Sequence, residues 1–438
     1  MTVSPEMLIS AFVADGSAAG ERARERARLL LADAVVLSQA NTEVPGFEAV
    51  HEVGAGTGRH LSWASGNKLG PNDAVYANAC AIHARFQDDT DMSTWSHPGS
   101  FVIPAAMAAA IESGASFARL LDAIVIGYSA TRWLGAHGIV AAKLKARGFR
   151  PSPIFAPLGA AIAASRALGL DQEAATQAIN AAALIGRGTL HSVGEGGDDW
   201  RLHNASGARD GFDLALAAQS GMRSAPDALT SPNGFLRTVT GSEDIPAAWR
   251  TAPTGELIEQ VWHKALPVLG DVMSAALAAR EVGRRLGGGR VDDVTVQMNA
   301  KYALFPGTQQ RPPYASTTAA QASVRFVVAQ LLVHGDLRYA DLVRHDDPEV
   351  LRIAERMHVT PVEGMPYTDA IVEARTAEQT ERCQAGDLAP TLFWRDRAEQ
   401  FDRSEHILGD RGVSLSRAIL EADESEQAES VMDRALGH

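Results

Sequence analysis

Apolar positions recur at helical spacing over most of the first 255 residues. Phe117, Leu120, Leu121, Ile124, Val125 and Tyr128 mark one face of an amphipathic helix, because residues three and four apart share a face. Residues 156–168 and 172–185 predict two further helices. Between them Gly169-Leu170-Asp171 supplies a glycine stop and then an aspartate cap. Residues 208–219 predict another. Runs of small residues, such as Ala105-Ala106-Met107-Ala108-Ala109-Ala110, predict helices packed closely and buried. No repeat period emerges, which argues against a solenoid.

The pattern changes after residue 255. Val294, Val296 and Met298 alternate with Thr295, Gln297 and Asn299, the period of a strand. Residues 319–333 predict a helix that ends at Gly335. Residues 357–362 and 370–376 predict two strands joined by Glu363-Gly364-Met365-Pro366. From residue 389 helical patterning returns, and its charged end (Glu421, Asp423, Glu424, Glu426) reads as solvated and frayed. The expected fold class is mainly α: a large all-helical domain over 1–255 and a smaller α+β domain over 256–388. C-terminal helices over 389–438 would return to the helical domain.

Composition narrows the functional classes. The 438 residues carry a formal charge of −13, which argues against a nucleic-acid groove or an anionic membrane surface as partner. Small anions remain open, since a pocket can be locally basic. Cys80 and Cys383 form no CxxC motif, so neither a disulfide framework nor a cysteine zinc site is expected. The first 16 residues do not read as a signal peptide, and no apolar run reaches the roughly 18 residues of a membrane span. A cytoplasmic protein is the expectation.

The chemistry-bearing residues concentrate in one loop, 87–99, where Asp88, Asp89, Asp91 and His97 precede Pro98-Gly99 and an alanine-rich helix. Proton transfer needs a placed base, and negative charge that builds on the reacting group needs cations to hold it. His97 is the candidate base or acid, since imidazole ordinarily titrates near ~6.5; capping the next helix is its other reading. Asp88 and Asp89 would orient His97, act as bases, or form turns with Thr90. Asp91 reads as a solvent-facing turn residue. Arg150, between Phe149 and Pro151, is either a carboxylate clamp or half of a structural ion pair. Arg201 and His203 follow Gly194-Glu195-Gly196-Gly197, a stretch without the phosphate-binding GxGxxG and read as a flap. Lys264, after Trp262 and His263, could bind a carboxylate or donate a proton. Tyr302 either faces a cleft or packs as a strand aromatic. No HxH, HExxH or paired-cysteine motif suggests a metal.

Several stretches together resemble the MmgE/PrpD family of 2-methylcitrate dehydratases, cis-aconitate decarboxylases and iminodisuccinate epimerases. They are Asp88-Asp89-Thr90 with His97-Pro98-Gly99 and Ile103-Pro104-Ala105-Ala106; Gly148-Phe149-Arg150-Pro151-Ser152 leading to Gly159-Ala160-Ala161; Arg201-Leu202-His203 with Ala208-Arg209-Asp210-Gly211; Lys264-Ala265-Leu266-Pro267; and Ala320-Gln321-Ala322-Ser323-Val324. The resemblance implies a helical domain with an α+β lid, a homodimer, and an active site between the two domains. It also implies a cofactor-independent lyase, of dehydratase or decarboxylase type, acting next to a carboxylate of a small polycarboxylate. An epimerase or isomerase using the same proton abstraction is the alternative, as is a member that binds a ligand without turnover. His97, Asp88, Asp89, Lys264 and Tyr302 are the catalytic candidates, with His97 and Lys264 the ones the resemblance itself marks, and Arg150, Ser152, Arg201 and His203 would bind substrate. Three positions depart from the family pattern: Phe86 stands where it has an aspartate, Arg150 where it has a histidine, and Trp200 where it has a lysine.

Overall fold

A computed structural model describes residues 3–15, 19–40, 56, 58–388 and 396–438. The chain forms two compact units. One comprises Met1–Thr189, Arg201–His263 and Arg395–His438, and the other Leu190–Trp200 and Lys264–Trp394.

The first unit is helical apart from two antiparallel two-residue strands, β1 (His60–Leu61) and β2 (Lys68–Leu69). Its helices include α1 (Pro5–Ala14), α2 (Glu21–Gln39), α3 (Pro71–His83), α4 (Gly99–Ser113), α5 (Phe117–Leu134), α6 (Pro151–Leu168), α7 (Gln172–Ala183) and α8 (Trp200–Gln219). Helix α4 has no polar face and is buried from Gly99 to Ile111, as befits a helix packed on all sides. It lies against α6 and α5, with α6 also against α5. Glycines allow the approach. A Cβ on Gly159 would stand 2.6 Å from both the Phe101 ring and Thr131 Oγ1. Gly159→Ala should therefore lose about 1–3 kcal/mol to overpacking, against a helix-propensity gain of about 1 kcal/mol. A urea unfolding curve with a lower midpoint and unchanged slope checks this.

Two helices begin earlier than their apolar periodicity indicates. Helix α6 starts at Pro151, because extended Arg150 caps it and proline's fixed φ suits a first helical position. Helix α8 starts at Trp200, where Arg201, His203 and Asn204 interrupt the apolar period.

Helices α11 (Arg397–Leu420) and α12 (Ala428–Leu436) belong to the first unit. Helix α11 packs on α2, where Arg403 grips Asp33 with two bonds of 2.6 and 3.2 Å and also donates to the Gln87 carbonyl. The acidic stretch before α12 is tied down, contrary to the expected fraying. Glu424 accepts from Arg28 at 3.0 Å, and the Phe117 and Ala118 amides bond the Glu426 and Glu424 carbonyls. Those donors come from distant parts of the chain, so local charge gave no hint of them.

The second unit is α+β. Its sheet runs β4 (His358–Val362), β3 (Val291–Asn299), β5 (Ala370–Thr376), β6 (Thr380–Gln384). Strand β3 is parallel to β4 and antiparallel to β5, and its Val291, Val294, Val296 and Met298 are buried. Helix α9 (Met273–Leu286) packs on β5, β6 and α10 (Val324–His334). The helix expected over 319–333 is two: Thr317–Ala322 ends at extended Ser323, whose hydroxyl caps α10. Left-handed Gly335 closes α10. Both cysteines are buried free thiols. Among the described residues, no helix is long and apolar enough to cross a membrane.

Candidate active site

The acidic loop between α3 and α4 folds on its own aspartates. Asp91 accepts from the Ser93 amide (3.1 Å), the Thr94 amide (3.2 Å) and the Thr94 hydroxyl (2.7 Å), and takes the Arg132 guanidinium from α5. It is wholly buried. The expected turn is there, but the solvent-facing side chain is not, because these donors replace water. An antiparallel bridge joins Asp91 to Ser96, and another joins Thr90 to Trp262. Phe86 and Trp95 adopt left-handed φ of 56° and 47°, a conformation that costs non-glycine residues energy and clusters at functional sites.

Asp88 Oδ2 accepts from Nδ1–H of His83, the last residue of α3, at 2.8 Å. His83 Nε2 lies 2.7 Å from a guanidinium nitrogen of Arg150. Arginine only donates and a carboxylate only accepts, so His83 is the neutral Nδ1–H tautomer. It links anion to cation in a buried chain Asp88–His83–Arg150. His83 is absent from the sequence-level candidates. It ends an apolar, alanine-rich helix, where a histidine reads as core; its spacing of five residues before Asp88 was the available signal.

His97 is held through its backbone and through its ring. Its amide donates to Ser152 Oγ at 3.1 Å, and its carbonyl accepts from Ser100 Oγ at 2.6 Å. Asn204 of α8 donates to that same Ser100 oxygen at 2.9 Å. The ring Nδ1 sits 2.9 Å from the Asp89 carbonyl and 3.6 Å from Asp88 Oδ1. Since a carbonyl can only accept, Nδ1 carries a proton, and in the neutral ring Nε2 is then the basic nitrogen. The Phe86 ring meets the imidazole edge-on with centroids 4.8 Å apart, and His83 lies tilted at the same separation.

Asp89 is buried beside Asp88, and its Oδ1 accepts from the Gly99 amide at 3.0 Å. Burial first, and the Asp88 charge second, push its carboxyl well above the usual carboxylate range.

The remaining candidates fall into two groups. In the first unit, Arg201 Nε donates to the Ala84 carbonyl at 2.9 Å, and half-buried His203 packs over Gly188. In the second unit, fully buried Lys264 donates from Nζ to the Val268 carbonyl at 3.2 Å. Tyr302 is buried in the short helix Ala300–Ala303, just beyond β3. Trp200 is wholly buried, with its indole N–H on Thr318 Oγ1 at 3.1 Å. The glycine-rich stretch forms a helical turn, His191–Glu195, closed by left-handed Gly196, whose carbonyl accepts from Ser316. The first unit thus brings together His97, Asp88, Asp89, Arg150 and Ser152, adding His83 and Phe86.

His83, Asp88 and His97 place ligand-type atoms within 4.8 Å of one another. The hydrogen-bond polarity suits a metal poorly. A histidine bound to metal through one nitrogen donates its other N–H to an acceptor. His83 Nε2 instead meets the Arg150 donor, whose positive charge would also oppose a cation.

Residues 8–248 match the model of the MmgE/PrpD N-terminal domain, more than half of the chain. The chain belongs to the MmgE/PrpD family. It is 25% identical over 367 residues to a cis-aconitate decarboxylase of Aspergillus terreus (strain NIH 2624 / FGSC A1156), covering 77% of this chain and 73% of that protein. It is 23% identical over 373 residues to the cis-aconitate decarboxylase of Homo sapiens, covering 81% and 76%. A cis-aconitate decarboxylase-like protein, oryM, of Aspergillus oryzae (strain ATCC 42149 / RIB 40) is 30% identical over 164 residues, 35% of this chain. Within this MmgE/PrpD chain, the three departures noted in the sequence have distinct surroundings. Phe86 packs on the His97 ring, Arg150 ends the Asp88–His83 chain, and Trp200 bonds a threonine.

Proposed function

We propose that this protein is a lyase that acts next to a carboxylate of a small polycarboxylate. The observation that carries the reading is the His97 tautomer: a buried imidazole whose proton is committed to the Asp89 carbonyl, leaving Nε2 as the basic atom. In a dehydration, Nε2 takes the proton from the carbon beside the carboxylate. The electron pair spreads onto the carboxylate oxygens, then expels the β-hydroxyl, which leaves as water with the proton that the His97 imidazolium now holds. In a decarboxylation, Nε2 of His97 first takes a proton from solvent; the C–C bond to the departing carboxylate then breaks, carbon dioxide leaves, and the electron pair left on carbon takes that proton, which returns His97 to its neutral form. Either route builds negative charge on oxygen, and Arg150 is the cation proposed to hold it. Its guanidinium is oriented by the Asp88–His83 chain, and a planar, always-charged group can grip a carboxylate with two bonds. Ser152 holds the His97 backbone in place. The likeness to cis-aconitate decarboxylases over about three-quarters of each chain supports the decarboxylase branch.

A thermal-shift panel of dicarboxylates, tricarboxylates and unsaturated analogues, cis-aconitate among them, tests this reading. A ligand at about 100 times its Kd should stabilise the protein by about 2.7 kcal/mol. Arg150→Gln should remove that shift. If no carboxylate stabilises the wild type, the reading is wrong.

A further inference from the structure

The proposed chemistry uses one base, yet the loop carries a second buried carboxyl, Asp89, that no step consumes. Its main-chain carbonyl is the acceptor for His97 Nδ1. Its side chain is bonded to the Gly99 amide at 3.0 Å, with a longer contact of 3.3 Å to the second oxygen. Gly99 opens α4, so this bond ties the loop to the first turn of a helix buried from Gly99 to Ile111. The space there is full. A Cβ on Gly99 would collide with Asp89 Oδ1 and stand 2.8 Å from the Tyr128 hydroxyl of α5. Tyr128 influences the same carboxyl, through a contact looser than a normal hydrogen bond.

We infer that Asp89 is a positioning residue: its side chain, seated on Gly99 and facing Tyr128, fixes the peptide whose carbonyl selects the Nδ1–H tautomer of His97. This rests on the reading of His97 as the base. It also separates the two adjacent aspartates. Asp88 meets His83 and is the anion of the Arg150 chain, while Asp89 acts through its backbone. The alternative role for Asp89, a base in its own right, requires an ionised carboxylate. Its surroundings oppose one. Asp88 on the same loop and Asp33 on α2 both disfavour the charge, as does burial; the Gly99 amide and Tyr128 favour it, but not enough. Arg26 of α2 also faces this group; burial pushes its own guanidinium down to about 10, and the Asp89 charge acts against that fall.

The neutral form has a consequence for stability. A carboxyl raised on folding binds its proton more tightly in the native state, so its contribution is complete below the ordinary carboxylate range. It is lost as pH rises through the raised value. Asparagine keeps the Oδ1 acceptor for Gly99 and cannot ionise, so Asp89→Asn should escape that loss and gain on wild type as pH rises.

The test uses the full chain labelled with 15N-histidine and two-bond 1H–15N spectra, with the His97 signals assigned by their disappearance in His97→Gln. The wild type should show His97 protonated at Nδ1 and bare at Nε2. Asp89→Asn should keep that signature, and Asp89→Ala should shift the ring towards the Nε2–H form. Displaced signals in Asp89→Asn, or unchanged signals in a folded Asp89→Ala, would overturn the inference. Should Asp89→Ala fail to fold, the Asp89→Asn spectrum decides alone. The readout needs no substrate, so it succeeds or fails separately from the lyase reading, which stands or falls on ligand binding and product.

Discussion

Replacing His97 with glutamine is expected to lower kcat by about 10²–10⁴-fold while leaving the protein folded. That range is what a positioned general acid or base contributes. Glutamine retains an N–H able to donate to the Asp89 carbonyl, and the backbone bonds to Ser152 and Ser100 do not involve the ring. What it lacks is the basic nitrogen. KM should move little, since His97 is assigned to proton transfer and Arg150 to binding. Steady-state kinetics on any carboxylate turned over by the wild type, with a thermal melt of the variant, would check both halves. A variant that stayed fully active would remove His97 from the chemistry.

Arg150→Met should cost about 3–5 kcal/mol of folding stability, the usual penalty for stripping one partner from a buried ion pair. Arg150, His83 and Asp88 are all buried, and His83 meets Asp88 through one ring nitrogen and Arg150 through the other. Methionine would fill much of the space but remove the positive charge from the buried chain. The double variant Asp88→Asn/Arg150→Met should recover part of the loss, because no lone charge then remains. A double-mutant cycle from chemical denaturation would show coupling between the two positions, although they are joined through a third residue. Additive losses would mean that the chain does not act as one unit.

The sequence was most readable where one period dominated. The Phe117–Tyr128 part of helix α5 was legible from apolar spacing, and the strand over Ala370–Thr376 from its pattern together with the turn before it. It was least readable where polar residues interrupt a buried helix, as at the start of α8, or where proline opens one, as at α6. Site residues followed the same rule. Asp88, Asp89 and His97 stood out because they crowd one loop, and the family pattern pointed to Arg150. Asp91 was misjudged because its burial depends on Arg132, 41 residues away. His83 was overlooked because its partners, Asp88 and Arg150, give it meaning only once α3 and α6 are in place. Tyr128 was visible only as one more apolar position on α5. Local pattern shows which residues carry chemistry, while their protonation states come from partners that folding supplies.

The central claim is that Nε2 of His97 moves a proton at a carbon beside a carboxylate, with loss of water or carbon dioxide. Proton and carbon NMR of a reaction run in deuterated water tests it most directly, with cis-aconitate and each carboxylate that stabilises the protein as candidate substrates. The account predicts a product lighter by water or carbon dioxide, formed by the wild type and lost with His97→Gln; if carbon dioxide leaves, one solvent deuteron replaces it on carbon. An isomer of unchanged heavy-atom formula carrying solvent deuterium, or a His97→Gln variant that forms product at the wild-type rate, would contradict it.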